Sequence, residues 1–402
     1  MNAMSDLETF DAVVVGGGPA GATAATDLAR AGRKVLLLDK AGRIKPCGGA
    51  IPPRAIRDFD IPDALLVAKI TSARMISPSG KAVDMPIDGG FVGMVDRDVF
   101  DEWLRKRAAT SGADRRTGTF EALDRDTDGT AIVRYQPKGS PDGTLESVRA
   151  RVVIGADGAN SAVARLALPD EQVPLVFAYH EIIETPADAR PGGTVDGARC
   201  DVYYQGKFSP DFYSWVFPHG PATSIGTGSM HKGFSLRGSI ADLRVALKLD
   251  GCRTIRKEGA PIPLKPRKRW DNGRDVLLAG DAAGVVAPAS GEGIYYALAC
   301  GRVAAEAVDG FLKTGDVREL AQARKRFMKA HGRVFWILGI LQKFWYSSDK
   351  RRERFVSICQ DKDVQKLTWE AYMNKELVRA RPAAHVRIFF KDLAHLFGLV
   401  PP

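Results

Sequence analysis

Three stretches of this 402-residue chain carry side chains able to do chemistry. KPCGGAIPP (45–53) sets a thiol, Cys47, between a proline and two glycines, Gly48 and Gly49, with Ala50 next. A thiol can give or take a proton, and a backbone flanked by glycine lets a ligand come close. FYSWVFPHG (212–220) alternates Tyr213, Trp215 and Phe217 ahead of Pro218, so on a strand the three rings share one face. Such a face is either the core side of a sheet or an apolar wall with cation–π capacity. GGGPAG (16–21) holds Gly16-x-Gly18-x-x-Gly21, with Pro19 and Ala20 between the last two glycines.

The elements around the glycines give them meaning. DAVVV (11–15) predicts a buried strand, 19–31 a helix and VLLLD (35–39) a second strand, a βαβ unit. The first glycine permits the tight turn. The second lets a pyrophosphate reach the backbone, and the third lets the helix pack on the strand. Phosphates would rest on the helix N-terminus. Asp39 closes the second strand 18 residues after Gly21 and suits a ribose hydroxyl, with Lys40 beside it. Further on, 97–109 predicts an amphipathic helix with Phe100, Trp103 and Leu104 on one side, and 115–150 a β-meander. VVIGAD (152–157) predicts another buried strand ending at Asp157, with a helix from Ser161. From 166 to 264 helix signals fade and aromatic and β-branched residues dominate. DVLLAGDAAG (275–284) restores the buried-strand-plus-glycine pattern, with Gly280 and Asp281 at its end. A helix follows at GIYYAL, after Gly291 and Gly293 and opening at Ile294, and the last 90 residues read as helices. The expected domains are 1–165 with 265–310, 166–264, and 311–402.

Five widely spaced cysteines without CxxC point to a reduced compartment and no disulfide framework. Six histidines show no metal spacing, so no metal is expected. No signal peptide is apparent and no apolar run approaches a bilayer span. The net charge of +10 sits wholly in residues 311–402, which hold 19 Lys+Arg against 9 Asp+Glu. A basic tail suits nucleic acid or an anionic membrane. Here VFWILGILQKFWY (334–346), KRRER (350–354) and HVRIFFKDLAHLFGLV (385–400) mix bases with large apolar groups, which favours the membrane over nucleic acid. The alternative is that these helices cover the core.

GADGANSAVAR (155–165) and LLAGDAAG (277–284) resemble the further fingerprints of FAD-dependent enzymes built like the aromatic hydroxylases. That resemblance implies an α/β (α+β) fold: a Rossmann-like FAD domain, an inserted antiparallel-sheet substrate domain and a helical C-terminal region. It implies Asp281 on the ribityl chain and Arg97 near the FAD phosphates. The helix opening at Gly291, Gly293 and Ile294 would then aim its dipole at the flavin edge. There is no second GxGxxG: Gly226-Thr227-Gly228 is followed by His231 where a third glycine is needed. The resemblance implies NADPH docking transiently over the flavin.

KPCGGAIPP with YxWxFP, VDRDVFDEWL (95–104) and GDAAG (280–283 and Gly284) narrows the resemblance to geranylgeranyl reductases of the chlorophyll and bacteriochlorophyll branch, over roughly residues 10 to 400. Asp39 stands where much of the superfamily has glutamate. The expected cofactor-binding set is Gly16, Gly18, Pro19, Ala20, Gly21, Asp39, Lys40, Cys47, Gly48, Gly49, Ala50, Arg97, Asp157, Gly280, Asp281, Gly291, Gly293 and Ile294. Tyr213, Trp215, Phe217 and Pro218 would line an isoprenoid cavity. The reaction implied is stepwise reduction of three isolated double bonds of a geranylgeranyl group, on a pigment or as the diphosphate. A hydride cannot add alone to such an alkene, because no group stabilises the carbanion. A proton must arrive too, leaving tertiary-cation character that the hydride quenches. Cys47 is the first candidate for the proton source, with Tyr213 or a bound water as alternatives. Two other functions share the flavin motifs: an aromatic or quinone monooxygenase, and a non-catalytic pigment or lipid carrier. The expected location is the cytoplasmic side of a membrane, peripherally bound.

Overall fold

The computed structural model describes residues 7–40, 44–141 and 143–375. The first unit is β1 (Thr9–Val15), α1 (Pro19–Arg30) and β2 (Val35–Asp39). Then come β3 (Ala50–Ile51), α2 (Pro53–Asp58), β4 (Leu66–Ile70), β5 (Ser72–Ile76), β6 (Ala82–Pro86), β7 (Val92–Val95) and α3 (Arg97–Thr110). The middle of the chain forms β8 (Asp114–Arg125), β9 (Ala131–Pro137), β10 (Glu146–Gly155), α4 (Ala162–Ala167) and β11 (Leu175–Glu184). It continues with β12 (Arg199–Tyr203), β13 (Ser214–His219), β14 (Ala222–Ser229), α5 (Leu236–Ala246), β15 (Thr254–Pro263) and β16 (Val276–Leu278). Four helices follow: α6 (Ile294–Thr314), α7 (Gln322–Trp345), α8 (Asp349–Ile358) and α9 (Lys362–Asn374).

Two sheets dominate. In the first, β8, β2, β1, β10 and β16 run parallel, and β9 pairs antiparallel with the outer parts of β8 and β10. The 115–150 meander is therefore part of this sheet: its outer strands double as parallel neighbours of β2 and β1. The strands read as continuous apolar runs because both faces are covered. Val13, Leu36, Val153 and Leu277 are fully buried beneath α1 and α6 in one core.

The second sheet has the order β15-β11-β14-β13-β12-β5-β6, antiparallel except where β12 runs parallel to β5. Two differences from the sequence reading stand out. The sheet recruits β5 and β6 from residues 72–86, well before the strand-rich stretch. That stretch itself contains a helix, α5, with Ser235 as N-cap accepting from Gly238 N at 3.1 Å. Ile240 and Leu243 bury its inner side. Leu236, Ile240, Leu243 and Leu247 recur at helical spacing, a signal outweighed by the β-rich surroundings.

The end of α7 and α8 lie on the second sheet, whereas α6 and the first part of α7, with Phe327 and Phe335, join the core of the first. Trp345, Tyr346, Val356 and Ile358 share a core with Val176, Val202 and Phe212. The 385–400 stretch lies outside the described residues.

Candidate active site

The turns after β1, β2, β10 and β16 all emerge at the C-terminal ends of parallel strands, where open α/β sheets gather ligands. They surround one cavity of about 440 Å³. Gly16 has φ +110°, and a Cβ there would stand 2.3 Å from Ala156 O, so the turns after β1 and β10 touch. A Cβ on Gly280 would come within 2.7 Å of Ala20 Cβ, which brings in the turn after β16. Gly18 faces open space and caps α1 without any side-chain acceptor. Free first-turn N–H groups at that bare helix start are an anion site. This cradle fits the pyrophosphate of a dinucleotide.

Asp39 lines the cavity, accepts from Gly17 N at 3.1 Å and pairs with Arg105 at 3.4 Å. Burial pushes its carboxyl above the usual range, and Arg105 opposes this. Arg97, Asp101 and Arg105 occupy one face of α3 at four-residue spacing and all reach the cavity. Arg97 is buried and holds Asp101 through two bonds of 2.8 and 2.7 Å. Asp157 is engaged locally: it accepts from Ser161 Oγ at 2.5 Å and from Ala162 N at 2.6 Å, fixing the start of α4. Asp281 is buried and pairs with Lys45.

The KPCGG loop crosses from this cradle to the aromatic strand. Cys47 is half-buried and its Sγ accepts from Gly49 N at 3.3 Å, with Arg97 also interacting with the sulfur. A Cβ on Gly48 would lie 2.9 Å from the Phe217 ring. Gly49 has φ +76°, and a Cβ there would strike Val95 O at 2.5 Å and His219 Cε1 at 2.6 Å. His219 anchors the loop, with Nε2 3.1 Å from Gly48 O and Nδ1 2.9 Å from Asp96 Oδ1.

Tyr213, Trp215 and Phe217 line the same cavity, with successive ring centroids 6.0 and 6.1 Å apart. Tyr213 donates to Ser290 O at 2.5 Å, and burial pushes its phenol pKa up. Trp215 donates to Ser224 Oγ at 3.1 Å, and the same oxygen lies 3.1 Å from His180 Nδ1. His180 Nε2 is 2.7 Å from Glu258. Gly226 sits under Trp215, where a Cβ would approach the indole to 2.0 Å.

The cavity wall therefore gathers Gly16, Gly18, Pro19, Ala20, Asp39, Lys40, Cys47, Gly48, Arg97, Asp157, Gly280, Asp281, Gly291, Gly293 and Ile294 with the three rings. Gly21, Gly49, Ala50 and Pro218 lie off it. Gly21 packs beneath Gly16, and Ala50 pairs with Met94 in the small sheet β3-β7-β4. Pro218 pairs opposite Thr223. Lys45, Asp101, Arg105, Tyr179, His180 and Phe212 also line the cavity, unforeseen from sequence. The 97-101-105 spacing would have found two of them. His180 carries no local signal. Chemically, the arrangement offers an anion cradle at one end, a thiol in the middle and an aromatic wall at the other. Among the described residues no group of His, Cys, Asp and Glu could hold a metal ion.

Comparison with known proteins bears on this site. The family profile described as an NAD(P)-binding Rossmann-like domain matches residues 14–62, and the one described as an FAD binding domain matches 66–176. The geranylgeranyl diphosphate reductase of Rhodobacter capsulatus is 61% identical over 393 residues, spanning 98% of this chain and 99% of the relative. That of Synechocystis is 38% identical over 95% of this chain and 97% of the relative. A digeranylgeranylglycerophospholipid reductase from Methanoculleus marisnigri is 34% identical over 76% of this chain and 78% of the relative. The crystal structure of a geranylgeranyl bacteriochlorophyll reductase-like protein from Thermoplasma acidophilum superposes with a TM-score of 0.79 at 23% identity. It covers 94% of this chain and 99% of that one, and shows the shared fold. A flavin-dependent brominase has the same fold at a TM-score of 0.74 and 18% identity. With a dinucleotide cradle, two matching family profiles and relatives spanning nearly its whole length, the chain belongs to the geranylgeranyl diphosphate/bacteriochlorophyll reductase family of FAD-dependent oxidoreductases.

Proposed function

We propose that this protein reduces three isolated double bonds of a geranylgeranyl group, one after another, with NADPH as the reductant. The group is carried on a chlorophyll-type pigment or as the diphosphate. The observation that supports this most is the shared cavity: Cys47 and the rings of Tyr213, Trp215 and Phe217 line the same space as the glycine cradle. FAD fits that cradle: the turn at Gly16–Gly18, Asp39 and the start of α6 would hold it, and in its reduced form it would supply a hydride.

The residues of the chain do the rest. The rings exclude water along the tail and stabilise positive charge developing at the tertiary carbon. Cys47 is the side chain placed to deliver the proton, its Sγ lining the same space as the rings with Arg97 beside it. Tyr213 is the less suited donor, since its hydroxyl is committed to Ser290 O. His219 and Asp96 hold the loop so that Sγ stays in place. Asp157 acts on the cofactor side through α4, whose start it fixes.

We also propose that the protein works at an anionic membrane surface, where a C20 tail resides. Among the described residues no helix is long and apolar enough to cross a membrane. α7 instead exposes Lys329, Arg333, Trp336, Ile340 and Lys343 at helical spacing, while Phe327, His331, Phe335 and Trp345 are buried beneath. Bases flanking a tryptophan and an isoleucine suit the headgroup region.

The test is anaerobic turnover with NADPH of geranylgeranyl diphosphate and, separately, a geranylgeranylated pigment, followed by mass spectrometry. Products heavier in steps of two hydrogens support the reading, and the productive arm identifies the carrier. A product formed only with oxygen and heavier by one oxygen atom means a monooxygenase. No product with either substrate means a carrier.

A further inference from the structure

The chain has one GxGxxG turn, and its cradle suits FAD, so NADPH must reach the same cavity by another route. A second concavity of about 500 Å³ opens beside the first. The two share Asn160, Ala178, Tyr179, Ala260 and Pro261. Ala178 pairs with Ala260 between β11 and β15, and Gly259 is next to it, so part of the wall between the two spaces is made of small residues.

The outer part of the groove has a distinct chemistry. Phe177 is 51% exposed, and Phe234 stands with it in the lining. Large apolar side chains left open to water at a groove suit a flat ring as their partner. Arg237 is exposed, lies 5.8 Å from the centroid of the Tyr179 ring, and makes no hydrogen bond or ion pair among the described residues. Arg165 donates to Asn160 O at 2.7 Å, bringing a second guanidinium to the rim, and exposed Lys232 lies in the loop before Phe234. No carboxylate lines the groove among the described residues. The carboxylate behind Tyr179, Glu181, accepts from the Tyr179 hydroxyl at 2.9 Å and pairs with Lys257 and Arg244. The groove thus pairs aromatic faces with uncompensated cations, which is the complement of a nucleotide carrying an extra phosphate.

We propose that this groove docks the adenosine end of NADPH, with Arg237 on its ribose 2′-phosphate and Phe177 against the base, so that the nicotinamide end enters the cavity past Ala178 and Ala260. The inference rests on NADPH being the reductant of bound FAD.

The test uses FAD-loaded protein and two probes, adenosine 2′,5′-bisphosphate and adenosine 5′-monophosphate, titrated calorimetrically. Arg237→Ala weakens the bisphosphate roughly 10- to 100-fold, the weight of one charge-assisted contact, and leaves the monophosphate nearly unchanged. Arg237→Lys restores part of the loss, and Phe177→Ser weakens both probes. Both side chains are exposed, so FAD content and melting temperature stay at wild-type values and serve as the folding control. In parallel, anaerobic mixing with NADPH and no substrate follows the loss of the flavin's visible absorbance. Arg237→Ala raises the NADPH concentration for half-maximal rate and leaves the limiting rate alone. Wild-type protein that ignores the bisphosphate, or an Arg237→Ala variant that binds it as tightly as wild type, overturns the groove. Bisphosphate binding that depends on Arg237, with a flavin that NADPH does not bleach, upholds the groove and overturns NADPH as the reductant.

Discussion

Gly48 and Gly49 are there because nothing larger fits: Phe217 presses on one, Val95 O and His219 on the other. Their bareness seats Cys47 between the cradle and the rings. A cysteine is often only a small core residue, and Cys47 does pack against the main core. Its test is therefore a variant that keeps the packing and removes the proton. Cys47→Ala should retain FAD and fold normally while alkene reduction falls about 10²- to 10⁴-fold, the usual weight of a positioned acid. Flavin reduction by NADPH without substrate should be unaffected. Full turnover by this variant would remove the thiol from the chemistry and leave a water as the donor.

At the scale of elements, α3 and β13 orient the site. On α3, Glu102 takes Arg105 at 3.0 Å and Arg115 of β8 at 2.8 Å, bracing the arginine that pairs with Asp39. The two guanidiniums hold its carboxyl down at about 2, against an ordinary 4.5. A depressed carboxylate stabilises the fold above its unfolded pKa, and that contribution fades as pH falls from 4.5 toward 2. Glu102→Gln should thus cost about 1 kcal/mol near neutrality after allowance for solvent screening, with wild type and variant converging near pH 2 in urea titrations. A pH-independent gap would refute the ion-pair account. On the neighbouring β14, Gly226→Ala would drive a methyl into Trp215. We expect about 1–3 kcal/mol of destabilisation and a raised KM for the isoprenoid, read by thermal melts and steady-state kinetics. An unchanged KM would mean the indole does not face the substrate. The glycine cradle was legible in the sequence because glycine, strand and helix signals coincide within 30 residues. KPCGG was legible as a motif but not as a contact of His219, since 171 residues separate Gly48 from its partner. His180, β5 and β6 escaped for the same reason: their neighbours are set by sheet pairing across the chain.

At the scale of the whole molecule, the proposed function joins a buried site to an isoprenoid substrate. All of the net charge lies in residues 311–402, and α7 displays part of it beside Trp336, 69% exposed, and Ile340, 46% exposed. The other face of α7 covers the core, one of the two roles that the sequence left open, and the exposed face is the one proposed to meet the membrane. These two faces predict a two-part affinity for vesicles. The charge contributes roughly 1 kcal/mol per base near an anionic surface and is screened by salt, while Trp336 and Ile340 contribute a part that salt does not remove. Replacing Lys329, Arg333 and Lys343 with glutamine should abolish most low-salt cosedimentation with phosphatidylserine-containing vesicles. Trp336→Ser with Ile340→Ser should instead remove the fraction that survives high salt. Neither set lies on the cavity, so turnover of a detergent-solubilised substrate should stay at wild-type level while turnover of the vesicle-borne substrate drops. If both sets sediment and turn over like wild type, this face of α7 does not meet the membrane and the basic excess serves another surface.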